Sequence, residues 1–102
     1  MNWQKHIEKL QQGYDVAFRP KGNSMLPRIH SGNLVTVSPN YKTLKENDIV
    51  FCRVKGHYYV HLIKAIRTQG TQNSYQIGNN KGGINGWIFA TSIYGKVIRV
   101  EE

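Results

Sequence analysis

The chain has one cysteine, Cys52, so no disulfide can form within it, and a reducing compartment suits it. It has no apolar run near the roughly 18 residues that a membrane-spanning helix needs. The opening residues Met1-Asn2-Trp3-Gln4-Lys5-His6 lead into a polar stretch, not the continuous apolar core of a secretory signal. These absences set the expectation of a cytoplasmic protein without a transmembrane segment. Acidic residues are scarce: 6 Asp and Glu stand against 14 Lys and Arg, for a net charge of +8. That balance points towards an anionic partner, either nucleic acid or an anionic surface. The basic residues are scattered, however, and only Arg19, Lys21 and Arg28 form a tight group near a motif. Nucleic-acid binding therefore rests on composition, and competes with the plainer reading that the charge solvates a small protein. His6, His30 and His57 lack metal-ligand spacing with one another or with Cys52, so no metal is expected. Gly78, Gly82 and Gly83 are not followed by the Gly-Lys-Ser or Gly-Lys-Thr of a phosphate loop, and no cofactor is expected.

What remains is a chain of 102 residues, 39% hydrophobic and 20% charged, which fits a single globular domain over residues 1–102. Trp3, Ile7 and Leu10 recur at helical spacing, and Gly13 ends the pattern, which predicts an amphipathic helix over 3–12. Trp3 beside Lys5 and Lys9 could meet a membrane surface, but such a tryptophan more often packs its helix onto a sheet. From Tyr14 the pattern is β, and the β core is placed at 14–100. Strands are expected at Val16–Phe18, Leu34–Val37, Ile49–Val54, Tyr58–Arg67, Tyr75–Ile77 and Ile93–Val100, with a loop from Gly78 to Gly83. Many short strands separated by regular turn signals predict a mainly β fold with a short N-terminal helix, as a compact barrel or a folded ribbon. Cys52 alternates with Phe51 in an apolar strand and reads as a buried small hydrophobe.

Three segments stand out. The first is Gly22-Asn23-Ser24-Met25-Leu26-Pro27, followed by Gly32 and the strand from Leu34. The second is Asn47-Asp48-Ile49-Val50, leading through a hairpin to Val60-His61-Leu62-Ile63. The third is Ile77-Gly78-Asn79-Asn80, with Tyr94-Gly95-Lys96-Val97 behind it. In this order they resemble the Ser-Met-x-Pro motif, the Gly-Asp-x-Val strand pair and the terminal Gly-Lys-Val strand of the LexA and signal peptidase superfamily, over residues 14–100. The resemblance implies a serine peptidase fold, with Ser24 in the nucleophile position and an oxyanion site at the backbone N–H groups of Ser24 and Met25. It also implies a polypeptide substrate, or a protein partner, laid along a strand edge beside Gly22, Asn23 and Pro27. Members of the superfamily often dimerise, so a homodimer is a further expectation.

The chemistry of these residues is coherent in its own terms. A serine hydroxyl becomes a nucleophile when a neighbouring base takes its proton. Gly22 would let the backbone approach closely and Pro27 would stiffen the exit. Ser24 could instead be a turn serine that caps a short helix. In the resemblance the base is a lysine or a histidine on the strand after the hairpin, and His61 holds that position. Strand alternation puts Tyr59, His61 and Ile63 on one face and Val60, Leu62 and Lys64 on the other, so Lys64 faces away if His61 faces Ser24. Histidine is also the easier base, because its ordinary pKa near 6.5 leaves it mostly neutral at pH 7. The competing reading of His61 is a half-buried strand histidine that only packs.

The third segment departs from the resemblance. Histidine-type signal peptidases carry aspartates here, whereas this chain has Asn79 and Asn85. An asparagine can orient an imidazole, but it does not neutralise the imidazolium that forms when serine attacks. In a Ser-His-Asp protease the same exchange costs about 10⁴ in turnover. The asparagines could equally hold a tight turn in left-handed geometry. Two functions therefore stay open: a serine peptidase with a Ser24–His61 dyad, or a weak or inactive binding module for peptide, protein or nucleic acid. Residues 1–23 hold no Ala-Gly or Cys-Gly pair of the kind that LexA-type repressors cut in themselves. Cleavage in trans is therefore the expectation.

Overall fold

The computed structural model describes residues 2–102. In chain order the elements are α1 (Trp3–Gln11), β1 (Val16–Phe18), β2 (Leu34–Ser38), β3 (Ile49–Val54), β4 (His57–Gln69), β5 (Gln72–Gly78) and β6 (Ile84–Phe89). A 3₁₀ turn at Ala90–Ser92 then leads into β7 (Ile93–Glu101). Asn2 caps α1, its side-chain oxygen accepting from the Lys5 N–H at 3.2 Å. The helix closes where Gly13 takes φ +95° and the Tyr14 N–H reaches back to the Lys9 carbonyl. Ile7 and Leu10 are buried, at about 1.5–3 kcal/mol each relative to exposure. Trp3 packs edge-on against Phe18 and lies beside Phe51 and Tyr58, so its ring serves the core.

All seven strands join one antiparallel sheet in the order β1-β2-β7-β3-β4-β5-β6. The fold is mainly β, and the sheet is an open ribbon with β1 and β6 as its edges, not a closed barrel. β3 lies centrally and is covered on both faces. Ile49 and Phe51 join a cluster with α1, β1 and β2, while Val50, Cys52 and Val54 join a second cluster with Ile63, Tyr75, Ile77 and Ile88. Double coverage explains why β3 reads as an apolar run from Ile49 to Cys52, interrupted only by the exposed Arg53 before Val54. Cys52 is fully buried, and burial pushes its thiol up to about 12, so it behaves as a hydrophobe.

The second and third segments meet at the turn before β3. Asn47 adopts φ +73°, a left-handed conformation that asparagine tolerates better than most residues. The Asp48 carboxylate accepts from the Lys45 N–H at 2.8 Å and pairs with Lys96 of β7 at 3.2 Å. The Asn47 N–H and Asp48 carbonyl bond to Ile63 of β4. These motif residues therefore set the register of β3, β4 and β7. Among the described residues, no helix is long and apolar enough to cross a membrane.

Candidate active site

Ser24 lies in the long connection between β1 and β2. Met25 and Ile29 anchor this connection in the core, and two arginines fasten it. Arg19 donates to the Gly32 carbonyl and Arg28 to the Asn47 carbonyl, each at 2.7 Å. The basic group near the motif thus holds backbone, rather than forming a patch with Lys21. Gly22 is required for a different reason from the one expected. Its φ is +106°, and a Cβ there would meet nothing within 4 Å, so conformation and not close approach selects glycine.

Ser24 Oγ lies 3.0 Å from His61 Nε2. β4 supplies His61 opposite Val50 of β3, on the face that the alternation of Tyr59, His61 and Ile63 predicts. The imidazole is 8% exposed and stacks on Tyr59 at 4.8 Å between ring centroids. Its Nδ1 lies 2.7 Å from Asn85 Oδ1. An amide oxygen only accepts, so Nδ1 carries the proton and Nε2 turns its lone pair towards the Ser24 hydroxyl. Burial lowers the pKa of His61, and the Asn85 hydrogen bond offsets this in part.

Asn85 reaches the ring because β6 is bulged there. Ile77 pairs with Gly86 and Gly78 with Ile84, so Asn85 is the extra residue and its side chain is re-aimed. Gly86 follows at φ +147°. Asn79, the other residue expected to steer His61, does not do so. Its side-chain oxygen accepts from the Lys81 and Gly83 N–H groups, each at 2.8 Å. The turn reading of the asparagines needs correction as well: neither Asn79 nor Asn80 has a positive φ, and Gly82 supplies it instead.

Asn80 has a role that the sequence did not reveal. Its N–H donates to the Ser24 carbonyl at 2.9 Å and its side-chain amide donates to the Leu26 carbonyl at 2.8 Å. The 79–83 loop thus clamps both sides of Met25. Gly78 lets this loop fold back, since a Cβ there would strike the Gly83 carbonyl and Lys64 Cγ. Gly78→Ala is expected to destabilise the fold by about 1–3 kcal/mol, read as a lower urea midpoint at unchanged slope. Lys64, the rival base, is the extra residue of a bulge in β4. It donates to the Asn79 carbonyl at 3.2 Å.

The Ser24–His61 pair opens into a cavity of about 620 Å³. Gly22, Met25, Asn79 and Asn85 contribute to its lining, and Trp3, Tyr58 and Ile29 form an apolar wall. Asn23 and Pro27, expected beside a substrate, are exposed and lie outside that lining. The aromatic wall was also missed, because Trp3 and Tyr58 lie far apart in sequence and meet only through packing. Among the described residues, no group of three His, Cys, Asp or Glu is placed to hold a metal ion.

Ser24 thus faces the His61 imidazole at the edge of an open cavity on an antiparallel β ribbon. The chain belongs to the peptidase S24-like family, whose model matches residues 1–76, and so to the LexA and signal peptidase superfamily. Ser24 and His61 fall within the matched residues, whereas Asn79 and Asn85 lie beyond them. No curated protein matches the chain.

Proposed function

We propose that the protein is a serine peptidase that cleaves an extended polypeptide in trans, using Ser24 as nucleophile and His61 as general base. The observation that carries this reading is the 3.0 Å approach of Ser24 Oγ to His61 Nε2 at the edge of an open cavity. As Oγ attacks the scissile carbonyl, its proton passes to Nε2, and His61 later returns it to the leaving amine. The Ser24 and Met25 N–H groups, which have no protein acceptor among the described residues, are the donors assigned to the oxyanion. Asn85 is a positioning residue that keeps the proton on Nδ1. The apolar wall of Trp3, Tyr58 and Ile29 would take a substrate side chain. A second reading is favoured by the neutral Asn85 amide: a module that holds a peptide in the same cavity without cutting it.

A fluorophosphonate probe separates the two. The wild-type protein is expected to form a single adduct, located on Ser24 by peptide mass spectrometry and absent from Ser24→Ala. Saturable peptide binding in the cavity with no Ser24 adduct at any pH from about 5 to about 9 would overturn the peptidase in favour of the binding module.

A further inference from the structure

The outer face of the β4–β5–β6 sheet has no place in the site just described. In this region Ile66, Tyr75 and Ile88 point inward to the second core cluster. Residues directly opposite one another across a sheet share a face. Ala65, Gln76 and Trp87 therefore share the outer face, as do Arg67, Ser74 and Phe89. Trp87 is 39% and Phe89 50% exposed, on β6, whose outer edge is unpaired among the described residues. The Arg67 guanidinium lies over the Trp87 ring at 4.3 Å from the centroid. Among the described residues it has no ion-pair partner.

The charge around this face is one-sided. Residues 57–89, which form β4 to β6 and their connections, carry Lys64, Arg67 and Lys81 and no Asp or Glu. All six acids lie outside that stretch. Two exposed rings at alternate positions, a guanidinium over one of them, and Ser74 and Gln76 alongside form a surface on which planar bases can stack. The cation would meet a phosphate, and the polar side chains offer hydrogen bonds to base edges. Ser74 and Gln76 of β5 border the rings, and that polar border suits nucleic acid better than the continuous apolar patch that lipid favours. We infer that the outer face of β4–β6, centred on Trp87, Phe89 and Arg67, binds single-stranded nucleic acid. This surface is independent of the proposed peptidase chemistry.

The test uses the full chain and a fluorescein-labelled oligothymidylate of about 20 nucleotides, longer than one such platform covers. Binding is expected at about 50 mM salt and should weaken steeply by about 200 mM. In a Trp3→Phe background, where Trp87 is the one remaining tryptophan, binding should quench its fluorescence as the base stacks. Trp87→Ala should weaken binding roughly tenfold, and Arg67→Gln should lower the salt slope by about one. Circular dichroism checks that both variants are folded. Binding that neither variant alters would overturn the assignment, as would no binding at low salt. Binding to phosphatidylglycerol vesicles in place of the oligonucleotide would overturn it in favour of a membrane surface.

Discussion

His61→Ala is expected to slow phosphonylation of Ser24 by about 10²- to 10⁴-fold, the span that general-base assistance contributes. The folded state should survive, because the ring lines the cavity and belongs to neither core cluster. What is lost is the proton acceptor 3.0 Å from Oγ. The pH profile supplies an independent check. Burial lowers the pKa of His61 from its ordinary 6.5, and the neutral ring is the active form. Reactivity should therefore hold steady through pH 7 and fall only on the acid side, with a midpoint below 6.5. Asn85→Asp tests the positioning role. A carboxylate 2.7 Å from Nδ1 favours the imidazolium, so the acid limb should move to higher pH. The plateau should rise at least about tenfold, the reverse of the loss seen when a triad aspartate becomes asparagine. An unchanged profile in Asn85→Asp would remove Asn85 from the mechanism. A His61→Ala protein that labels at the wild-type rate would remove the dyad.

The sequence was most legible where burial is simple. β3 is covered on both faces, so five of its six residues are apolar, Arg53 being the exposed exception, and the strand Ile49–Val54 is read with both ends correct. α1 has one buried stripe and a glycine stop, and its predicted end differs by one residue, because Gln12 is the cap. Period-two alternation was enough to separate His61 from Lys64, since the β4 bulge begins only after Ile63. The reading failed where backbone irregularity matters. Asn85-Gly86 looks like a turn, and it hides the β6 strand because the bulge and the positive φ of Gly86 lie inside it. The exposed Trp87 and Phe89 of an edge strand give no clean core-facing pattern either. Asn79 and Asn80 could not be told apart by type, although one closes its own loop and the other grips the Ser24 segment. Such roles depend on which way a side chain points after the chain has folded back, and a one-dimensional pattern does not carry that information.

Phe51→Ala is expected to have the largest effect on stability, about 3–5 kcal/mol. Phe51 is fully buried at the middle of β3, where Trp3, Phe18 and Tyr94 approach within 5.2, 5.4 and 5.3 Å between ring centroids. Those rings come from α1, β1 and β7, so one side chain joins the helix to three strands. Truncation leaves a ring-sized void that the crossed neighbours cannot fill without leaving their own contacts. For a domain of this size each kcal/mol lowers the melting temperature by about 4–8 °C, so a drop of well over 10 °C should appear in a thermal melt. The damage should also reach the cavity. Trp3 and Tyr58 rest on Phe51 and form its apolar wall, whereas His61 stands opposite Val50 on the other face of β3–β4 and the Ser24 segment, though anchored by Met25 and Ile29 in the Phe51 cluster, is also clamped by Asn80. Below its melting temperature, Phe51→Ala should therefore lose discrimination among probes of different side-chain size before it loses reactivity at Ser24. Equal loss of both would mean that the wall and the dyad are held by the same packing. A melting temperature within about 3 °C of wild type, less than one kcal/mol for this size, would mean that Phe51 is not the hub of the core.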